Sequence, residues 1–94
     1  MNYEILDNFE AAIGTSYKGR IKATYYALEQ KLGKPLKDRD GNVNWIIRFE
    51  DGTIATIYNW CNAGSVYDLD TWHVGGFNKD ALFNVMDIFI DLLK

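Results

Sequence analysis

Val43-Asn44-Trp45-Ile46-Ile47-Arg48-Phe49-Glu50-Asp51-Gly52-Thr53-Ile54-Ala55-Thr56-Ile57-Tyr58-Asn59-Trp60 is the stretch that decides the fold. Val43, Trp45, Ile47 and Phe49 alternate with Asn44, Ile46, Arg48 and Glu50, a period of two. Asp51-Gly52 is a favoured two-residue hairpin turn, because both residues tolerate positive φ. Ile54, Thr56, Tyr58 and Trp60 continue the alternation on the return strand. A two-residue turn pairs Phe49 with Ile54, Ile47 with Thr56, Trp45 with Tyr58 and Val43 with Trp60. Those eight side chains would then share the core face. The other face would set Ile46 opposite Ile57, an apolar pair that needs a cover from another element or from a second copy of the chain.

Helices are expected on both sides of this hairpin. Thr15 or Ser16 reads as an N-cap, and Tyr17, Ile21, Thr24, Tyr25, Leu28 and Leu32 follow at helical spacing. Gly33-Lys34-Pro35 reads as the stop, so a helix is expected over about 17–32. Near the other end, Asn78 precedes Leu82, Val85, Met86, Phe89, Leu92 and Leu93, which predicts a helix over about 79–93. Trp72-His73-Val74, closed by Gly75-Gly76, reads as a short third strand, and 61–71 as a polar loop. Residues 1–13 fit a short helix followed by an extended segment, with an edge strand at Phe9–Ile13 as the other reading. The expected fold is therefore α+β. A small antiparallel sheet (hairpin 43–60 plus strand 72–74) packs against helices at about 17–32 and 79–93.

Ninety-four residues make one domain, 1–94. An apolar content of 48 % is far above that of a disordered chain. No run of about 18 apolar residues is present, so no membrane helix is expected. The start, Met1-Asn2-Tyr3-Glu4, lacks the basic and apolar regions of a signal peptide. The single cysteine, Cys61, has no partner for an internal disulfide. Both features favour a reducing, cytoplasmic setting. The net charge of −3 conceals an asymmetry. Between Tyr17 and Lys37 stand Lys18, Arg20, Lys22, Lys31, Lys34 and Lys37 against Glu29 alone, while the rest of the chain is acidic. Overall acidity argues against long nucleic acids and leaves room for a local anion site.

Three segments carry candidate chemistry. Gly14-Thr15-Ser16-Tyr17-Lys18-Gly19-Arg20 leads into the expected helix. It fails the phosphate-loop pattern, since Arg20 stands in place of Lys and Ile21 in place of Ser or Thr. A helix start still favours anions, and Lys18, Arg20 and Lys22 sit there against the dipole. The plain alternative is a solvated basic turn. Trp72-His73-Val74-Gly75-Gly76 holds the only histidine and two glycines that permit close approach. The alternative is packing by Trp72 and Val74 with a structural hydrogen bond from His73. Cys61 and His73 could form a nucleophile–base pair, although one Cys and one His occur together in many non-enzymes. Cys61, His73, Asp68 and Asp70 match no common zinc pattern, so neither metal nor cofactor is expected. Aromatic residues are abundant at 15 %. Beside Lys and Arg they suit a nucleobase and its phosphates, and they suit a homo-oligomer interface as well.

Gly14-Thr15-Ser16-Tyr17, Gly33-Lys34-Pro35, Phe49-Glu50-Asp51-Gly52, Ile57-Tyr58-Asn59-Trp60 and Trp72-His73-Val74-Gly75-Gly76 follow one another in order. Together with Trp45 they resemble the pattern of a family of small bacteriophage proteins, over about residues 13–90. Cys61 departs from that pattern, where a basic residue commonly follows the Tyr-x-Trp unit. The resemblance implies action in the cytoplasm of an infected bacterium. By analogy it suggests an anti-defence sponge that sequesters a nucleotide second messenger of host immunity without catalysis. In that reading Thr15, Ser16, Tyr17, Lys18 and Arg20 hold phosphate. Tyr17, Trp60 or Trp72 stack on a base, and His73, Gly75 and Gly76 complete the pocket. A homo-oligomer is the expected assembly. The alternatives are a protein-binding inhibitor of a host enzyme and a small His73-dependent nucleotide-processing enzyme.

Overall fold

The computed structural model describes residues 2–59 and 65–89. They form an α+β fold in which a six-stranded antiparallel sheet packs against two helices. The strands are β1 (Tyr3–Leu6), β2 (Ser16–Lys22), β3 (Leu36–Lys37), β4 (Val43–Phe49), β5 (Ile54–Tyr58) and β6 (Thr71–Gly76). The helices are α1 (Tyr25–Leu32) and α2 (Asp80–Phe89). Short 3-10 turns occupy Glu10–Ala12 and Val66–Asp68. The sheet runs β1-β4-β5-β6-β2, and β3 adds to β4 beyond the end of β1.

The central hairpin forms in a register one residue away from the expected one. Trp45 pairs with Ile57, Ile47 with Ala55 and Ile46 with Thr56. The turn holds three residues, Glu50-Asp51-Gly52. Phe49 N–H donates to Thr53 O, and Gly52 N–H donates to Phe49 O. Gly52 takes φ 89°, the left-handed region that glycine enters at little cost. Asp51 Oδ1 also accepts from Thr53 N–H at 2.9 Å. Because side chains alternate along a strand, this single-residue slip turns the whole return strand over. Ile57 and Ala55 enter the core, while Thr56 and Tyr58 move to the opposite face. The expected pairing of Val43 with Trp60 involves a residue outside the described ones.

The N-terminal third also differs from expectation. Residues 16–22 are strand, and the helix begins only at Tyr25. Thr24 is its N-cap, with Oγ1 accepting from Ala27 N–H at 3.1 Å. Gly33 closes it with φ 84°, as the Gly33-Lys34-Pro35 stop requires. Residues 3–6 are a strand and the helical turn comes after it, the reverse of the expected order. The third strand is longer than Trp72–Val74 and includes both glycines. At Asn78, Oδ1 accepts from Asp80 N–H at 3.0 Å and opens α2. That helix buries Ala81, Val85, Ile88 and Phe89 and leaves Met86 exposed.

The core lies between the helices and one face of the sheet. Val43, Trp45, Ile47, Phe49, Ala55, Ile57, Trp72, Val74 and Ile21 face Leu28, Leu32, Val85 and Ile88. Trp45 and Trp72 meet edge to face at 5.5 Å, and Trp45 Nε1–H donates to Gly33 O at 2.7 Å. Full burial of two indoles contributes several kcal/mol, about 25 cal/mol for each Å² of apolar surface removed from water.

Part of the second face is covered by the chain itself. β1 and β2 are consecutive in sequence yet occupy opposite edges of the sheet. Residues 7–15 must therefore cross about four inter-strand spacings, roughly 19 Å. That is within the reach of nine residues, about 30 Å when extended. The crossing carries Glu10–Ala12 against β5. Ile46, beside Leu6 on this face, is fully buried. The apolar pair Ile46–Ile57 that called for an outside cover does not form.

Candidate functional site

Register alone builds two rows of side chains across the second face. One runs Asn44, Tyr58, His73, Arg20 over β4, β5, β6 and β2. The next runs Leu6, Ile46, Thr56, Gly75, Tyr17 over all five strands of the main path. Where the rows adjoin, His73 sits between two tyrosines. Its ring centroid lies 5.3 Å from Tyr58 and 5.5 Å from Tyr17, both edge to face. Such contacts contribute about 0.5–1.5 kcal/mol beyond area burial. Burial raises the Tyr58 phenol above its ordinary pKa, and Tyr17 adds to the rise.

Beside this aromatic trio is a cavity of about 230 Å³. Thr15, Ser16, Asn44, Thr56, Tyr58 and Gly75 line it, together with Ala12, Asp38 and Asn42. The crossing segment supplies one wall, the second face of the sheet the floor, and the β3–β4 connection the far wall. Gly75 keeps the floor open. A Cβ there would lie 2.6 Å from Thr56 Oγ1 and 3.3 Å from both Ser16 O and Tyr58 Cε1. Thr56 is only 4 % exposed, and its hydroxyl makes no hydrogen bond with another described residue. The Asn44 carboxamide is likewise uncommitted among the described residues.

The far wall presents one carboxylate, Asp38, held by its own loop. Asp38 Oδ1 accepts from Asp40 N–H and Asn42 N–H, both at 2.9 Å, and Oδ2 accepts from Asn42 Nδ2 at 3.1 Å. Partial desolvation pushes the Asp38 pKa up, but these bonds outweigh it, and the net shift is downward. Lys18 Nζ donates to Ser16 Oγ at 2.9 Å, and no cation is among the residues that line the cavity.

The ten candidates from sequence therefore separate. Thr15, Ser16 and Gly75 line the cavity, and Tyr17 and His73 join it through Tyr58. Lys18 and Arg20 lie along the edge strand β2. Trp72 points to the other face and is fully buried against Trp45, Tyr25 and Val74, so its ring is closed to a ligand. Gly76 backs onto α2, where a Cβ would lie 2.2 Å from that of Ala81. Trp60 and Cys61 lie outside the described residues. The anion site at a helix start does not exist as expected, because residues 16–22 are strand and their peptide groups pair with β6. Asn44, Thr56, Tyr58, Asp38 and Asn42 escaped the sequence reading. For Asn44 and Thr56 the signal was a polar residue inside an otherwise apolar strand; Asp38 and Asn42 lie in the β3–β4 connection and carried no such signal.

Among the described residues, no three His, Cys, Asp or Glu side chains gather as a metal site. No helix among them is long and apolar enough to cross a membrane. The chain matches no protein-family model, no curated protein and no solved structure.

Proposed function

We propose that the chain is a non-catalytic binding protein that sequesters a nucleotide-type small molecule on the second face of its sheet. The observation that carries this reading is the cavity beside Tyr17, His73 and Tyr58, open at Gly75 and lined by Thr56, whose hydroxyl bonds no other described residue. Ligand sites are concave, with a few convergent polar groups beside aromatic surface. His73 hydrogen-bonds no carboxylate among the described residues, so no partner orients it as a general base. Arg20 pairs with His73 in register, which brings positive charge to the β2 end of this face. The motif resemblance to small phage proteins favours a nucleotide second messenger of bacterial immunity as the ligand, bound in the host cytoplasm.

The test is a thermal-shift panel of cyclic dinucleotides, cyclic trinucleotides and ADP-ribose derivatives. A ligand at 100 times its Kd stabilises by about 2.7 kcal/mol. In a domain this small that raises Tm by roughly 10 °C. Heat-denatured complex should return the nucleotide intact. A flat panel removes the proposal, and a chemically altered nucleotide replaces binding by catalysis.

A further inference from the structure

The cavity contains hydroxyls, carboxamides and one carboxylate, and no cation lines it. Phosphate is a poor occupant of such a site, since the ionised Asp38 on its wall repels it. At about 230 Å³ the space falls below the roughly 300–1,000 Å³ of pockets for drug-sized ligands. It admits one flat ring system and not a whole dinucleotide.

Resting on the binding role above, we infer that this cavity takes the edge of an amino-bearing nucleobase, with the phosphates held outside it along β2. A free carboxamide such as Asn44 presents a donor and an acceptor side by side. It matches in bidentate fashion the adjacent amine and ring nitrogen of adenine. Thr56, 4 % exposed, lines the same space, and its hydroxyl bonds no other described residue. A negative wall rewards the exocyclic amine of adenine and disfavours the carbonyl that uracil presents at the same place. The edge of Tyr58 flanks the cavity and offers the base an aromatic neighbour. Arg20 stands opposite His73 on β2, on the same face as the cavity, and offers its charge to a phosphate that leaves it.

Adenosine, uridine, AMP and inorganic phosphate, titrated separately into the whole protein with backbone amide NMR, test the assignment. Adenosine should shift the Thr56, Gly75 and Asn44 resonances and bind at least tenfold more tightly than uridine. Thr56→Val and Asn44→Ala should each weaken adenosine and AMP alike, about tenfold or more, because they delete a partner in a desolvated site. Thr56→Ser keeps the hydroxyl and should retain parental binding, which separates a lost hydrogen bond from a damaged fold. Arg20→Gln should weaken AMP and leave adenosine unchanged. If AMP shifts only the β2 amides and leaves Thr56 and Gly75 silent, the base assignment fails while the binding role stands. Inorganic phosphate shifting Thr56 and Gly75 overturns the assignment too. If neither adenosine nor AMP moves any resonance and the cyclic-nucleotide panel is flat, both readings fall.

Discussion

Gly75 stands opposite Thr56 across β5 and β6, and a Cβ built on it falls 2.6 Å from the Thr56 hydroxyl oxygen. The space above Thr56 thus exists only while residue 75 lacks a side chain. Gly75→Ala should lower stability by about 1–3 kcal/mol, the cost of forcing a methyl against the Thr56 hydroxyl. The same change in a Thr56→Ala background should cost less, because the oxygen that it meets is gone. A double-mutant cycle by urea unfolding should return a coupling of about 0.5–3 kcal/mol. Strict additivity would mean that the two groups do not compete for this space.

Gly52 has a different reason to be glycine. No atom lies within 4 Å of its ideal Cβ, yet its φ is 89°. Substitution there is opposed by backbone strain alone. Gly52→Ala should destabilise by about 1–2 kcal/mol, and Gly52→Asn by less, since Asn tolerates the left-handed region. Equal losses for Ala and Asn in chemical denaturation would contradict a left-handed turn residue.

Ile46 and Arg48 share the second face but not its environment. Ile46 is fully buried beside Leu6 and beneath the crossing segment. Arg48 forms an exposed ion pair with Glu4. Ile46→Ala should cost about 2–5 kcal/mol, and Arg48→Ala less than about 1 kcal/mol. A small loss for Ile46→Ala would show that residues 7–15 do not close over it in solution.

The fold class was legible in the sequence because the strongest patterns were long. The alternation from Val43 to Phe49 has no helical competitor, and the α2 stripe has no strand competitor. The hairpin register was not legible, and Ile54-Ala55-Thr56-Ile57-Tyr58 shows why. One parity offers Ala55 and Ile57 and the other Ile54 and Tyr58 beside Thr56, so each could serve as a core face and patterning did not choose between a two- and a three-residue turn. The Glu50-Asp51-Gly52 hydrogen bonds made the choice. Residues 17–22 failed for another reason. Tyr17, Ile21, Tyr25, Leu28 and Leu32 give one continuous helical spacing, although the bond from Ala27 N–H to Thr24 Oγ1 starts the helix eight residues late. The bulge between Tyr17 and Gly19 breaks the alternation that would have marked a strand. At the site, Thr15, Ser16 and Gly75 were legible as unusual local chemistry. Thr56 and Asn44 were not, since only the slipped register turns Thr56 toward the cavity.

Two carboxylates with lowered pKa values contribute to the acid limb of stability. The Thr53 backbone amide, the Thr53 hydroxyl and the Asn84 carboxamide hold the Asp51 pKa below its ordinary value. The loop amides and the Asn42 side chain do the same for Asp38 against its desolvation. A depressed folded-state pKa stabilises the fold above the unfolded value, about 3.9. That contribution is lost as pH falls through the folded value. Asp51→Asn and Asp38→Asn should each flatten the loss of stability below about pH 4. Urea midpoints measured from pH 6 down to pH 2 check this. A parental slope in both variants would leave the acid limb to other groups.

Tyr25 governs the alkaline limb, with the opposite sign. Burial, then its hydrogen bond to Glu29 and the charge of that carboxylate, push its pKa from 10.0 up to about 12. Its ring packs at 5.0 Å from Tyr67, 5.8 Å from Trp45 and 6.3 Å from Trp72, so ionisation places a charge against the aromatic core. A raised folded-state pKa stabilises the fold fully below the unfolded value, about 10. The contribution disappears as pH rises toward the folded value. Stability should therefore fall between about pH 10 and 12, and ultraviolet titration should show one late phenol with pKa about 12. Tyr25→Phe should abolish the late phenol and flatten the alkaline limb. Its stability at pH 7 should fall by only about 1 kcal/mol, the net worth of one hydrogen bond. A late phenol that persists in Tyr25→Phe would assign it to another tyrosine, with Tyr58, whose pKa is also raised, the first to examine by the same titration of Tyr58→Phe.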